Sequence, residues 1–411
     1  MQQRYYSLDV FRGATVCLMI LVNNPGTWSH IYDPLEHAPW HGLTPTDLVF
    51  PFFLFAVGNA MAFVMPRLEA ARDAVFWRKV IKRTVLIFAI GLFLNWWPFL
   101  RWQNNELEFI PWTWTTTDAA GVTRESGVRI LGVLQRIALC YLFASIIVYY
   151  FKARGAFLVG AILLLAYWLI CVVGNPADPY SLTGWFGTGI DKVVLHEPHM
   201  YKGEGIPFDP EGLLSTIPSI VQVIFGFLVG DYILKRTKLY AAAENPSAAQ
   251  GIHPLYQILT GLFMAAMAFL VAGYAWSLNF PVNKKIWTSS YVVVTTGMAT
   301  AILATMIYAI EIKGVRNWLT RFFDVFGKNA LFVFALSAFL PKGLRLIRIP
   351  NGVNSKGEPA FISPWNWIYE RVYKFVPGAP EIGSLLFALT VIIFMWAICY
   401  WLDKKRIYIK V

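Results

Sequence analysis

The chain has 411 residues, of which 57% are apolar, 16% aromatic and only 14% charged, and it carries a formal net charge of +11. So oily a composition excludes an ordinary soluble domain, and the basic residues fall between apolar runs, where membrane orientation alone would put them, so nucleic acid is excluded as a partner. The four cysteines, Cys17, Cys140, Cys171 and Cys399, lie in apolar windows and form no short-spaced set, which argues against disulfides and against a thiolate metal site.

Apolar windows of about 20 residues, each long enough to cross a hydrocarbon core of about 30 Å as a helix, recur along the whole length. The first, about 9–28, is interrupted at its start by Asp9 and Arg12, and Asn23-Asn24-Pro25 offers no small-residue cleavage site, so it reads as a retained span rather than a signal peptide. Further helices are expected at about 47–65, 83–100, 129–150, 155–174, 213–234, 254–278, 286–310, 325–343 and 382–402. The expected fold class is an all-α integral membrane protein, one domain over 1–411 built as a bundle of about ten transmembrane helices.

Charge alternates between the connections. Arg67, Arg72, Arg78, Lys79 and Lys82 follow the second span, and Lys152, Lys235, Arg236, Lys313, Arg316, Lys404 and Lys405 fall on the same side of the count, whereas Ser29 to Thr46 holds no Lys or Arg. The basic side is therefore read as cytoplasmic, with both termini there and the longer segments 101–127, 175–212 and 341–381 outside. No internal repeat is visible. Most of the 17 tryptophans crowd the outer half. Interfacial belts account for tryptophan at either face, while a flat apolar ring with one N–H donor also suits a sugar, with Trp40, Trp365 and Trp367 as the candidates.

The segment Leu35 to Pro51 is the richest in chemistry. It brings His37, His41, Glu36, Asp47 and Trp40 to the mouth of the second span, where an imidazole can exchange protons near neutral pH. Asn23 and Asp47 end the first span and begin the second, and the loop between them carries His37, so the three meet at one depth. Asp47 either fixes the His37 tautomer or caps the helix. Asp9 and Arg12, three apart, suit a local ion pair. Arg136, about 10 Å inside the fourth span, needs an anionic partner such as Asp47, or a wet cavity shared with Gln135. His37 and His41 stand four apart with Pro39 between them, and His196 and His199 are separated by Pro198, so no metal is expected.

At these residues the sequence resembles the heparan-α-glucosaminide N-acetyltransferase family. The matching stretches are Ser7-Leu8-Asp9-Val10-Phe11-Arg12-Gly13, Val22-Asn23, His37-Ala38-Pro39-Trp40-His41-Gly42-Leu43-Thr44, Asp47-Leu48-Val49-Phe50-Pro51, Gly132-Val133-Leu134-Gln135-Arg136, Asp209-Pro210-Glu211-Gly212-Leu213-Leu214-Ser215-Thr216-Ile217 and Pro281-Val282-Asn283-Lys284-Lys285-Ile286-Trp287-Thr288-Ser289-Ser290-Tyr291. The resemblance implies transfer of an acetyl group from cytoplasmic acetyl-CoA to the amino group of a glucosamine-type sugar, or an oligosaccharide ending in one, across the membrane. It matches His37 to the family's catalytic histidine and Asn23 to its active-site asparagine. The chain starts at the first core span, which suggests a bacterial inner-membrane relative, and Gly327-Lys328-Asn329-Ala330 and Ser337 stand where the lysosomal form has a histidine, so the acceptor need not be heparan sulfate.

An amine attacks a thioester only after losing its proton, which makes His37 the expected general base. Asn23 is the expected donor to the carbonyl oxygen as charge develops, and Asp47 supports His37. Trp40, Gln135, Arg136 and Glu211 are the expected acceptor-binding residues. The phosphates of acetyl-CoA call for cytoplasmic cations, with Arg78, Lys79, Arg83, Lys235, Arg236, Lys313 and Arg316 as candidates. Direct transfer needs fewer states than an acetyl-histidine intermediate. The expected partners are acetyl-CoA, the amino-sugar acceptor and the lipid bilayer, with a homodimer left open. An amino-sugar or oligosaccharide permease is the competing reading, which the same tryptophans and intramembrane charges would suit.

Overall fold

A computed structural model describes residues 5–103, 105–117, 123–242, 254–353, 357 and 359–409. Twelve α-helices follow in chain order: α1 (Tyr6–Asn23), α2 (Val49–Glu69), α3 (Asp73–Trp96), α4 (Val133–Gly174), α5 (Gly187–Leu195), α6 (Leu213–Ala242), α7 (Pro254–Ser277), α8 (Ser289–Ile307), α9 (Trp318–Lys328), α10 (Ala330–Leu344), α11 (Pro364–Arg371) and α12 (Pro380–Lys404). Among the described residues seven helices are long and apolar enough to cross a membrane, and the α9–α10 pair, bent by 79°, passes with them as an eighth. The protein is an integral membrane protein.

The windows expected from hydropathy overlap these helices, and the departures have physical causes. The third was expected to start near 83, yet α3 begins at Asp73. A hydropathy window sees only the stretch that must sit in hydrocarbon, and the helix continues beyond it through Arg78, Lys79 and Lys82 in polar surroundings. Windows four and five form one continuous assignment of 42 residues, broken at Lys152, whose φ of +56° and ψ of −173° are not helical. A straight helix of that length would reach about 63 Å, twice a hydrocarbon core. Lys152 Nζ is pinned 3.2 Å from the Glu69 carboxylate at the end of α2. The window at 325–343 is split at Asn329, whose side chain grips the chain after α12 through Ile407 O (3.2 Å) and Ile409 N (2.8 Å).

The described residues are mostly helical, consistent with the expected all-α membrane class. Three antiparallel hairpins occupy segments read as loops: β1 (Leu100–Gln103) with β2 (Glu106–Phe109), β3 (Thr113–Thr117) with β4 (Thr123–Gly127), and β5 (Ile349–Val353) with β6 (Pro359–Ile362). The β-branched, aromatic run Thr113-Trp114-Thr115-Thr116-Thr117 favours strand over helix.

Packing is dominated by α2 along α6, α7 along α8, α4 along α6 and α1 along α9. Lipid tails offer no hydrophobic drive between helices, so close backbone approach must supply the attraction. At the α2–α6 crossing a Cβ on Gly58 would stand 2.0 Å from Val223 O, and one on Gly226 2.1 Å from Phe55 O. Gly226→Ala is therefore expected to force the helices apart and destabilise the fold by roughly 1–3 kcal/mol. Its thermal unfolding in detergent should fall well below that of Gly189→Ala, where a Cβ meets nothing within 4 Å. Equal midpoints for the two would contradict a glycine-dependent crossing.

Candidate active site

A cavity of about 250 Å³ opens where α1 ends. Five stretches wall it: Met19, Val22 and Asn23 from the last turn of α1; His37, Trp40, Asp47 and Phe50 from the loop into α2; Arg129 ahead of α4; Tyr201, Glu204 and Glu211 ahead of α6; and Lys284, Lys285 and Trp287 ahead of α8. Sequence distances of more than 200 residues collapse here because every one of these stretches lies at the same end of the bundle.

The centre is His37. Its Nδ1 lies 2.7 Å from Asp47 Oδ1. The other carboxylate oxygen of Asp47 accepts from Ala38 N (3.1 Å), Thr44 N (3.1 Å) and Thr44 Oγ1 (3.0 Å). Asp47 is not the N-cap itself but the third residue of the capping box that Thr44 opens: one carboxylate oxygen closes the short turn Pro45–Leu48 that leads into α2, and the other contacts His37. Tyr291 Oη donates to Asp47 O at 2.5 Å, fastening this turn to α8. A carboxylate partner assigns the proton to Nδ1, which leaves Nε2 as the nitrogen able to accept one. His37 is half exposed, its side chain retaining 46% of its accessible surface, whereas Asp47 is buried. Asn23 is exposed, and its amide makes no hydrogen bond among the described residues, so its donors are open to a ligand.

The opposite wall is a rigid loop. Asn283 Oδ1 accepts from Ile286 N (3.0 Å), Asn283 N donates to Thr288 Oγ1 (3.0 Å), and Gly42 N donates to Val282 O (2.8 Å), docking this loop onto the His37 segment. His41 Nδ1 meets Asn283 Nδ2 at 3.3 Å, so His41 points away from His37 and the two do not form a metal pair. Among the described residues no group of three or more His, Cys, Asp or Glu is placed to hold a metal ion. Trp287 has φ of +52°, the left-handed region that a bulky side chain adopts only when its surroundings impose it. The loop aims Lys284 at His37: Nζ is 3.1 Å from Nδ1, 3.4 Å from Nε2 and 3.4 Å from Asp47 Oδ1. Burial pushes the Lys284 amine below its ordinary range, while the Asp47 and Glu211 charges pull it part of the way back. Lys285 instead bridges Glu204 (2.6 Å) and Pro39 O (2.9 Å).

The expected acceptor-binding residues divide into two layers. Trp40 and Glu211 line the cavity; Trp40 spends its N–H on Tyr180 O (2.8 Å) and packs edge-on against Phe208. Gln135 and Arg136 are buried behind the wall. Arg136 does not pair with Asp47. Its Nη2 donates to Gly212 O (3.0 Å) and to Ser215, its guanidinium faces the Trp287 ring at 5.2 Å, and Nε and Nη1 have no partner. The reason is geometric: α4 places it against the start of α6, while Asp47 is saturated by its own loop. Arg129, which sequence reading passed over, binds Asp209 through Nε (3.1 Å) and Nη2 (2.5 Å) and also contacts Glu211. Burial alone would raise the Glu211 carboxyl, but Arg129 and Arg136 outweigh it and hold it below the usual range. Below this network Asp191 accepts from Leu213 N (2.8 Å) at the start of α6, and burial lifts its carboxyl to about 7.

The expected phosphate-binding cations are not gathered into one site. Arg78 and Lys79 are exposed on α3, Arg83 lies over the Tyr141 ring, Lys235 is tied to Asp231 (2.7 Å), Arg236 lies over Tyr232, Lys313 over Tyr308 and Arg316 over Tyr6. A second cavity of about 350 Å³ at the far end of the α1–α2 pair is lined by Tyr5, Asp9, Arg12, Asn59 and Arg67. The Asp9–Arg12 ion pair expected from spacing is present at 2.7 Å.

The missed residues, Lys284 and Arg129, are cations in connections, and spacing alone gives no reason to prefer them. The signal was present in one place only, the stretch Asn283-Lys284-Lys285 within the resembling segments.

Fold and site together define a helical integral membrane protein with a histidine–carboxylate pair facing a charged cavity at one end of its bundle. In comparisons with curated proteins the chain is 26% identical to the heparan-alpha-glucosaminide N-acetyltransferase of Homo sapiens, over 80% of this chain and 52% of that protein, and 24% identical to that of Mus musculus, over 80% and 53%. No protein-family model matches it. Over 80% of its own length the chain is similar to these N-acetyltransferases, and it spans about half the length of the curated relatives it matches.

Proposed function

We propose that the protein transfers an acetyl group from acetyl-CoA to the amino group of a glucosamine-type sugar, with the acceptor entering from the far side of the membrane. The observation that carries this reading is the His37–Asp47 pair at 2.7 Å, which leaves Nε2 unprotonated toward a cavity also lined by Asn23. The names of its relatives supply the reaction class. In the step itself the acceptor's lone pair forms an N–C bond to the thioester carbonyl, the carbonyl π pair moves onto oxygen, and Nε2 takes the proton from nitrogen. The tetrahedral species then expels the thiolate, and the His37 proton passes to sulfur, giving the acetamide and free CoA.

Sidedness rests on charge. Counting α3, both halves of α4 and the α9–α10 pair as crossings gives ten, an even number that returns both termini to the basic, cytoplasmic side. The Arg12–Arg67 cavity then faces the cytoplasm and suits the anionic head of the donor, and the candidate cations Arg78, Lys79, Arg83, Lys235, Arg236, Lys313 and Arg316, none of which lines it, would act only through the long-range field of the basic side. The two cavities share α1 and α2, and Arg12 and Met19 lie about 10 Å apart along the axis of α1, so an acyl arm laid between these helices is directed at His37. A bacterial inner membrane fits this arrangement.

The test is purified protein in detergent with acetyl-CoA and glucosamine: release of free CoA matched by N-acetylglucosamine supports transfer. Absence of both, together with uptake of labelled glucosamine into proteoliposomes, would establish the permease instead. Asn23→Ala is expected to lower kcat by about 10²-fold with a smaller change in KM for the sugar; the reverse pattern would make Asn23 a binding residue.

A further inference from the structure

We infer that Lys284 is a second catalytic residue: its ammonium stabilises the oxyanion that forms on the thioester carbonyl. This rests on the acetyl-transfer reading above. Nζ stands 3.4 Å from His37 Nε2, the nitrogen that takes the acceptor's proton. The attacking amine must lie within hydrogen-bond reach of Nε2, and the attacked carbonyl oxygen is then only two bonds from that amine, within range of the ammonium. Asn23 and Lys284 line the same cavity as His37, one from α1 and the other from the loop before α8.

A purely structural ion pair does not account for the placement. Asp47 already has His37, Ala38 and Thr44 as partners, and Lys284 reaches it only at 3.4 Å while lying closer to the ring itself. An acyl-carrier role fails on chemistry, because acetylation of the amine would give an amide, which is too stable to pass the group to a second amine. The other charged or titratable groups facing this space are Asp47, Tyr201, Arg129, Glu204, Glu211 and Lys285; the last four are engaged with one another or with Asp209, and Tyr201 packs its ring against the Arg129 guanidinium.

The experiment measures CoA release from acetyl-CoA with glucosamine for the parent, Lys284→Met and Lys284→Arg. Lys284→Met is expected to lose about 10²–10³-fold in kcat, with KM for both substrates within a few-fold. Lys284→Arg should recover part of kcat with KM unchanged. A kcat for Lys284→Met within five-fold of the parent, or a loss carried by KM instead of kcat, overturns the inference. If Lys284→Met does not fold, Lys284→Gln, which keeps a donor without charge, is judged by the same two readouts. A parent that releases no CoA fails the acetyl-transfer reading itself, whereas an active parent with an unaffected variant fails only the role of Lys284.

Discussion

His37→Ala is expected to abolish acetyl transfer while leaving the folded protein and its donor binding intact. The loop stays closed without the imidazole because its own backbone and Thr44 hold it: Asp47 Oδ2 keeps Ala38 N, Thr44 N and Thr44 Oγ1 as donors, and Asp47 Oδ1 keeps Lys284 Nζ. What disappears is the one imidazole that lines this cavity among the described residues. A positioned base contributes typically 10²–10⁴-fold, and the loss should fall at the upper end of that range, because Nε2 is the group placed to take the proton that the attacking nitrogen sheds as the N–C bond forms. The measurement is single-turnover formation of N-acetylglucosamine beside acetyl-CoA binding followed by calorimetry. Turnover within a few-fold of the parent would remove His37 from the reaction.

Arg129→Ala should have the largest effect on stability. Asp209 is fully buried and Glu211 nearly so, and Arg129 is the direct ion-pair partner of both. Removing one member of a buried network leaves charge uncompensated, at a typical cost of about 3–5 kcal/mol. Arg136 makes no direct ion pair with either carboxylate among the described residues; its hydrogen bonds, from Nη2, go to Gly212 O and Ser215. A double variant that also changes Asp209 to Asn should recover a substantial part of the loss, read as the midpoint of thermal unfolding in detergent. An Arg129→Ala protein as stable as the parent would show that water reaches these carboxylates freely.

The spans were legible because hydrocarbon imposes length and apolarity on any segment that crosses it, so the signal is local. The same locality made His37 and Asp47 readable: ten residues separate them, on the loop between the first two spans. Lys284 lies 247 residues from His37 and reaches it only through the way α8 returns to the same end as α1 and α2. Arg136 shows the limit from the other side. Its cost in an apolar span was evident, but which polar atoms would satisfy it depended on the α4–α6 packing, and Ser215 and a backbone carbonyl won over the expected carboxylate. The hairpins escaped notice because short, exposed strands carry little hydropathy signal, although the threonine-rich β3 announces itself by residue type.

The two oxygens of Asp47 have a historical consequence. Anchorage of the second crossing and aim of the imidazole form a single inherited trait, so neither can drift without the other. A descendant chain with a new acceptor has to remodel the pocket elsewhere, at Trp40 or along 201–211, and keep this acid where it stands.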